Sequence, residues 1–209
     1  MSDYLATPQS ELRGGVLVLH AWWGLNAFIR SLCDRLAGQG YLTLAPDLYH
    51  GSVAATIPEA EALRRKTTKK EISNDLFGSL QNLQGHPAIH GRPVGVIGFS
   101  FGAYWALWLV EKAPHPPAAT IIFYGSRGGN YFETQSALLG HFAETDPYVP
   151  AAGVRKLEKN LKAAGKGVAF YTYPGTSHWF FESDQEAYDR ASAELAWQRT
   201  LDLLKSHLG

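Results

Sequence analysis

Residues 98–102 read Gly-Phe-Ser-Phe-Gly, between an apolar run from Val94 to Ile97 and a helix-like segment from Ala103 to Lys112. This is the nucleophile-elbow pattern, and it constrains the fold more than any other feature of the chain. The serine must sit in a strained turn between a strand and a helix. The positions two before and two after must be small, so that strand and helix can pass closely. The turn lifts the Ser100 hydroxyl above the sheet, and the helix start behind it offers N–H groups with no partner inside the helix. Glycine supplies 21 of 209 residues, so chance would place such a pentapeptide in roughly one chain in ten of this composition. The flanking strand and helix raise the motif above a glycine-rich turn with a solvent-facing serine.

The surrounding pattern predicts the sheet that an elbow needs. Short apolar runs at Val16 to Ala21, Tyr41 to Ala45, Val94 to Phe99, Ala118 to Phe123, Ala137 to Ala143 and Gly167 to Tyr173 read as strands. Helical spacing recurs at Asn26 to Gln39, Pro58 to Lys66, Lys70 to Leu83, Ala103 to Lys112, Pro150 to Ala164 and Asp184 to His207. The strands are continuously apolar rather than alternating. This predicts an α/β fold, a mostly parallel sheet covered by helices on both faces, in a single domain spanning residues 1–209. Such sheets bind ligands at the carboxyl ends of their strands. Polar residues collect there: His20, Asp47, Ser100, Tyr124, Asp146 and His178.

Composition excludes several other classes. Hydrophobic residues make up 45% and charged residues 18%, with 19 basic against 19 acidic side chains. That balance argues against nucleic acid or an anionic membrane as partner. The basic cluster Arg64, Arg65, Lys66, Lys69 and Lys70 reads as a solvated helix face. A single cysteine, Cys33, rules out an intrachain disulfide and reads as buried packing. The start of the chain shows no signal-peptide pattern, and no apolar stretch approaches about 18 residues, so the expected location is cytoplasmic. No histidine–carboxylate cluster has metal-ligand spacing, so no metal or cofactor is expected.

A serine hydroxyl needs a base within reach, and the base needs an orienting carboxylate; in elbow enzymes they follow in the order serine, acid, histidine. Of eight histidines, His178 stands in Pro174-Gly175-Thr176-Ser177-His178-Trp179, directly after the last strand. His141 precedes the acid loop, and the others lack a catalytic neighbourhood. Asp146 follows the penultimate strand, and Glu144 is its rival. Ser100, His178 and Asp146 are therefore the expected nucleophile, base and orienting acid. The oxyanion donors expected by position are the backbone N–H of Phe101, after the nucleophile, and one near Ala21 and Trp22, after the first core strand. Aromatic residues crowd these loops. Trp23, Tyr124 and Trp179 are the candidates for lining an apolar pocket suited to uncharged acyl or aryl esters.

From about Val16 onward the chain resembles the dienelactone hydrolase family of the α/β-hydrolase superfamily. The resemblance rests on His20-Ala21-Trp22-Trp23-Gly24-Leu25-Asn26, Pro46-Asp47-Leu48-Tyr49, the elbow, Asp146-Pro147-Tyr148-Val149-Pro150 and Gly175-Thr176-Ser177-His178. It implies the α/β-hydrolase fold, Ser100, Asp146 and His178 as triad, Trp22 and Phe101 N–H groups as oxyanion donors, and a structural role for Asp47. The departures carry information too. The family's dienelactone hydrolases use a cysteine nucleophile, a glutamate at the position of Ala21 and an arginine at the position of Glu182. A second carboxylate-binding arginine corresponds to Arg64 or Arg65, in a stretch that does not align securely. A substrate carboxylate near Glu182 would be repelled. The expected protein is thus a serine hydrolase of small carboxylic esters or lactones, working through an acyl-enzyme. The rival readings are acyl transfer to a thiol or alcohol on the same triad, and a binding module that kept the elbow.

Overall fold

The computed structural model describes residues 3–209. Seven strands form one sheet: β1 (Tyr4–Ala6), β2 (Gly14–Leu19), β3 (Tyr41–Ala45), β4 (Val94–Phe99), β5 (Ala119–Phe123), β6 (Ala137–Thr145) and β7 (Val168–Ser177). Their order is β1-β3-β2-β4-β5-β6-β7, with β1 antiparallel and every other pairing parallel. Among the described residues six helices accompany them: α1 (Ala27–Ala37), α2 (Ile57–Lys66), α3 (Lys69–Gln84), α4 (Phe101–Lys112), α5 (Ala151–Ala163) and, after the last strand, α6 (Arg190–Leu208).

Strand side chains alternate between two apolar cores. Val16, Val18, Ile97 and Phe99 face α1 and α6, packing with Ile29, Leu36, Trp197 and Leu204. Leu17, Leu19 and Val96 face the other way, with Leu76 and Leu80 of α3, Leu109 of α4 and Leu161 of α5. Burial on both faces explains why the strands read as unbroken apolar runs. Cys33 lies in the first core, fully enclosed, with burial pushing its thiol up to about 12.

The structure differs from the sequence reading in three places, each for a local reason. β1 is a three-residue edge strand held by pairing with β3. Strands β6 and β7 run on to Thr145 and Ser177, past the Pro174-Gly175 pair that reads as a loop. A register irregularity between Ala143 and Thr145 absorbs the two extra residues of β7, and Glu144 Oε2 accepts the Gly175 N–H at 3.0 Å. Helix α6 begins at Arg190, where the Asp189 side chain caps it by accepting from Ser192 N–H; a run of turns from Trp179 to Asp189 precedes it. Helices α2 and α3 are separate, as their spacing in the sequence predicts, and each is opened by a reciprocal capping box, Thr56 with Glu59 and Thr68 with Glu71. Among the described residues no helix is long and apolar enough to cross a membrane.

Candidate active site

The elbow geometry follows from two glycines. A methyl group on Gly98 would lie 2.4 Å from the Gly102 carbonyl oxygen, and one on Gly102 would lie 2.2 Å from that of Leu19. Only hydrogen fits at either position, so β4 turns into α4 against the end of β2. Ser100 takes up the turn with φ 50° and ψ −107°, a conformation that costs a non-glycine residue about 1–3 kcal/mol. Its N–H is tied to Phe123 O at 2.9 Å.

Strand register brings the next two side chains together. Thr145 pairs with Ser177 at the ends of β6 and β7, so the residues that follow, Asp146 and His178, leave the sheet side by side. His178 Nδ1 lies 2.7 Å from Asp146 Oδ2, and His178 Nε2 lies 2.9 Å from Ser100 Oγ. A carboxylate only accepts, so Nδ1 carries the hydrogen and Nε2 is left to accept from the serine hydroxyl. Asp146 is itself held: its Oδ1 accepts the N–H groups of Tyr148 at 2.8 Å and Val149 at 2.9 Å. The rings of Tyr124, Trp179 and Tyr148 pack around the imidazole with centroids 4.8, 4.8 and 5.0 Å away.

The rival residues are engaged elsewhere. Glu144 binds the β7 backbone, as above. His141 is enclosed in the sheet, with Nδ1 2.7 Å from the Tyr173 hydroxyl and Nε2 3.2 Å from Thr200 Oγ1. Burial drives its pKa down to about 3, so it stays neutral. Asp47 accepts from Gly51 N–H at 2.7 Å and Tyr49 N–H at 3.4 Å, fixing the loop after β3.

Phe101 adjoins Ser100, and Trp22 lines the same cleft. Phe101 is the first residue of α4, so its N–H has no acceptor inside the helix. Trp22 is the second residue of the turn closed by Gly24 N–H to Ala21 O at 3.3 Å; an N–H at that position takes no part in the turn's own bond.

Ser100 and His178 open into a cleft of about 670 Å³. One wall is aromatic, with Trp22, Phe101 and Tyr148. The other belongs to α2 and α3, with Glu61, Arg64, Thr67, Lys69 and Ile72. The wall corrects two sequence expectations. Trp23, Tyr124 and Trp179 do not line the cleft; they stand behind it, because the chain turns their rings into packing. Trp23 and Trp179 pack on each other and on Trp22, while Tyr124 is wholly buried. The basic cluster is also not simply a solvated face. Arg64 and Lys69 reach the cleft from either side of the α2–α3 corner, whereas Arg65 does not line it and pairs at 3.5 Å with Glu61, which does. The exposed charge pattern of α2 does not distinguish these two arginines in sequence; the capped corner at Thr67 and Thr68 was the available signal.

Glu182 supplies a third correction. It is buried and accepts the Tyr124 hydroxyl at 2.6 Å. Burial raises its pKa to about 8, against the lowering effect of that hydrogen bond. Burial favours its protonated form, and it lies inside the protein rather than in the cleft lining, so it is not placed to repel a substrate carboxylate. Among the described residues no three His, Cys, Asp or Glu side chains gather as a metal site.

The chain is similar to known proteins along its whole length. The model of the dienelactone hydrolase family matches residues 1–208. A Synechocystis relative, provisionally named a carboxymethylenebutenolidase, is 28% identical over all of this chain and 92% of its own. A Bradyrhizobium relative, provisionally named a 2-oxo-3-(5-oxofuran-2-ylidene)propanoate lactonase, is 26% identical over 98% of this chain and 89% of its own. Among solved structures, a Klebsiella pneumoniae protein provisionally described as a dienelactone hydrolase superposes with a TM-score of 0.87 at 24% identity, covering 98% of this chain and 92% of that one. That likeness establishes the fold, a mostly parallel sheet of the α/β-hydrolase type.

Proposed function

The chain belongs to the dienelactone hydrolase family and is a hydrolase acting on esters, and from that premise we propose that it cleaves small carboxylic esters or lactones through Ser100, His178 and Asp146 by way of an acyl-enzyme. The observation that carries this reading is the unbroken hydrogen-bonded line from Asp146 through His178 to a serine on a strained elbow.

In this mechanism Ser100 Oγ attacks the carbonyl carbon while His178 Nε2 takes its proton. The carbonyl π pair moves to oxygen, where the Phe101 and Trp22 N–H groups receive it; losing one such donor costs about 3 kcal/mol of transition-state stabilisation. Asp146 holds the imidazole tautomer and stabilises its cation. The tetrahedral adduct collapses, the alkoxide leaves and collects the proton from His178, and the acyl group stays on serine. Water then attacks with His178 as base, releasing the acid and restoring Ser100. In a lactone the leaving oxygen stays tethered, and the product is a hydroxy acid. Arg64 and Lys69 favour substrates with an anionic group some distance from the scissile carbonyl.

Ser100→Ala and His178→Ala should each lower kcat for a short aryl ester by at least about 10³-fold while circular dichroism and melting temperature stay near wild type. Full turnover by the Ser100→Ala protein would refute the mechanism.

A further inference from the structure

The proposed chemistry leaves several ionisable side chains at this rim unused, His20 among them. His20 follows β2 directly and is fully enclosed. Its Nδ1 lies 2.6 Å from the carbonyl oxygen of Ala21. A carbonyl only accepts, so Nδ1 carries the hydrogen and Nε2 is a bare acceptor. Among the described residues Nε2 has no hydrogen-bond partner, and it is buried. Burial lowers the ring's pKa to about 4, so it is neutral near pH 7. As packing alone, a leucine would fill such a site without an idle buried nitrogen.

What distinguishes His20 is the peptide it holds. The Ala21 oxygen and the Trp22 N–H belong to one planar trans unit and lie on its opposite edges. A donor bonded to the oxygen therefore sets where the N–H points. The same oxygen accepts Gly24 N–H at 3.3 Å, so the unit is held by two donors. Donation to the oxygen also polarises the amide and strengthens its own N–H as a donor. The second half of the site touches the same side chain. The His20 ring stacks on Phe101, with centroids 6.4 Å apart and planes at 25°, and Tyr49 lies against it at 5.1 Å. The His20 backbone is pressed to α4 as well, since a methyl on Gly102 would lie 2.7 Å from His20 O.

We infer that His20 is a positioning residue for the oxyanion site: its Nδ1–H, bonded to Ala21 O, orients and strengthens the Trp22 N–H that receives the tetrahedral oxygen, while its ring buttresses Phe101. This rests on the reading of Trp22 and Phe101 as oxyanion donors. His20 touches no reacting atom and exchanges no proton in the cycle.

Three substitutions separate this role from packing. His20→Asn returns an amide N–H close to the place of Nδ1–H. His20→Gln carries its amide further out, near the place of Nε2, and His20→Leu fills the volume with no donor. The readouts are kcat and KM for an aryl ester, and the affinity for an aryl trifluoromethyl ketone. That ketone adds the Ser100 oxygen at its carbonyl carbon; the π pair moves to oxygen, the serine proton moves to His178, and a stable mimic of the oxyanion results. Weakening one donor should lower kcat about 10- to 100-fold in the Leu and Gln proteins, with KM within about threefold and ketone affinity falling in parallel. The Asn protein should recover to within about fivefold of wild type. A packing role predicts the reverse order, with Leu near wild type and Asn impaired, and that result overturns the inference. Equal impairment of Asn and Gln overturns it too, and this pair decides the matter should the Leu protein fail to fold. A wild-type protein that forms no hemiketal with the ketone sinks the oxyanion reading, and the inference with it. A wild-type hemiketal whose affinity is unchanged in the Gln and Leu proteins sinks only the role of His20.

Discussion

Across one cleft, two walls face each other that are built in different ways. The wall carrying Ser100, Asp146 and His178 is set by backbone. Two glycines that admit no methyl group bring β4, α4 and β2 together, and the pairing of Thr145 with Ser177 aligns the acid and the imidazole. The opposite wall is anchored unevenly: α3 packs Ile72, Leu76, Leu80 and Leu83 into the core, while α2 buries only Ala60. It presents long flexible cations held by caps at the helix starts. Rigid backbone fixes reacting atoms to fractions of an ångström, while mobile charged side chains can select a ligand without perturbing that geometry. The comparison predicts that the first wall governs kcat and the second governs KM and substrate choice.

The largest effect should come from breaking the rigid wall at its carboxylate. Asp146→Asn leaves the shape intact but favours the wrong imidazole tautomer, and kcat should fall by about 10⁴-fold. Glu144→Gln, two residues earlier on the same strand, should stay within a few fold, because Glu144 serves the β7 backbone through a bond that an amide oxygen can also accept. Equal losses in the two proteins, measured on one ester, would remove Asp146 from its special position.

A smaller effect tests the flexible wall. Arg64→Ala combined with Lys69→Ala should raise KM about tenfold for an ester bearing a remote carboxylate. It should leave KM for the matching uncharged ester unchanged and leave kcat for both near wild type. A comparable loss for the uncharged ester would mean that the two cations support structure rather than selection.

The smallest effect concerns stability behind the rigid wall. Glu182 has a pKa raised from the ordinary 4.5 to about 8 by burial. The folded protein therefore holds a proton that the unfolded chain releases between these values, and stability falls as pH rises from about 4.5 to 8. Glu182→Gln keeps an acceptor for the Tyr124 hydroxyl and cannot ionise, so the melting temperature should decline less over the same interval. Parallel pH profiles for the two proteins would show that Glu182 is charged in the fold.

The same contrast explains what could be read from the chain before its structure. The elbow glycines, His178 after the last strand and Asp146 after the penultimate one are backbone-dictated positions, and each sits where its neighbours in sequence place it. The core strands themselves were legible for the same reason, since burial on both faces leaves an unbroken apolar run. Features that depend on a partner distant in sequence were not legible. β1 exists only through its pairing with β3. Glu182 reads as a charge facing the substrate until Tyr124, 58 residues away, is seen to donate to it inside the protein. Trp23, Tyr124 and Trp179 could be recognised as aromatic residues near the site, but which face of a loop they turn to the cleft is decided by packing among the rings themselves. Arg64 and Arg65 are adjacent and chemically identical, and only the helix direction sends one inward.

The central claim is that the Ser100 oxygen becomes covalently bonded to the substrate's acyl carbon. Mass spectrometry after treatment with an aryl phosphonate ester measures that nucleophilicity directly. The account predicts a single adduct per chain, located on the peptide containing Ser100 and absent from the Ser100→Ala protein. An adduct on another residue, or undiminished ester hydrolysis by a protein that never acquires one, would contradict it.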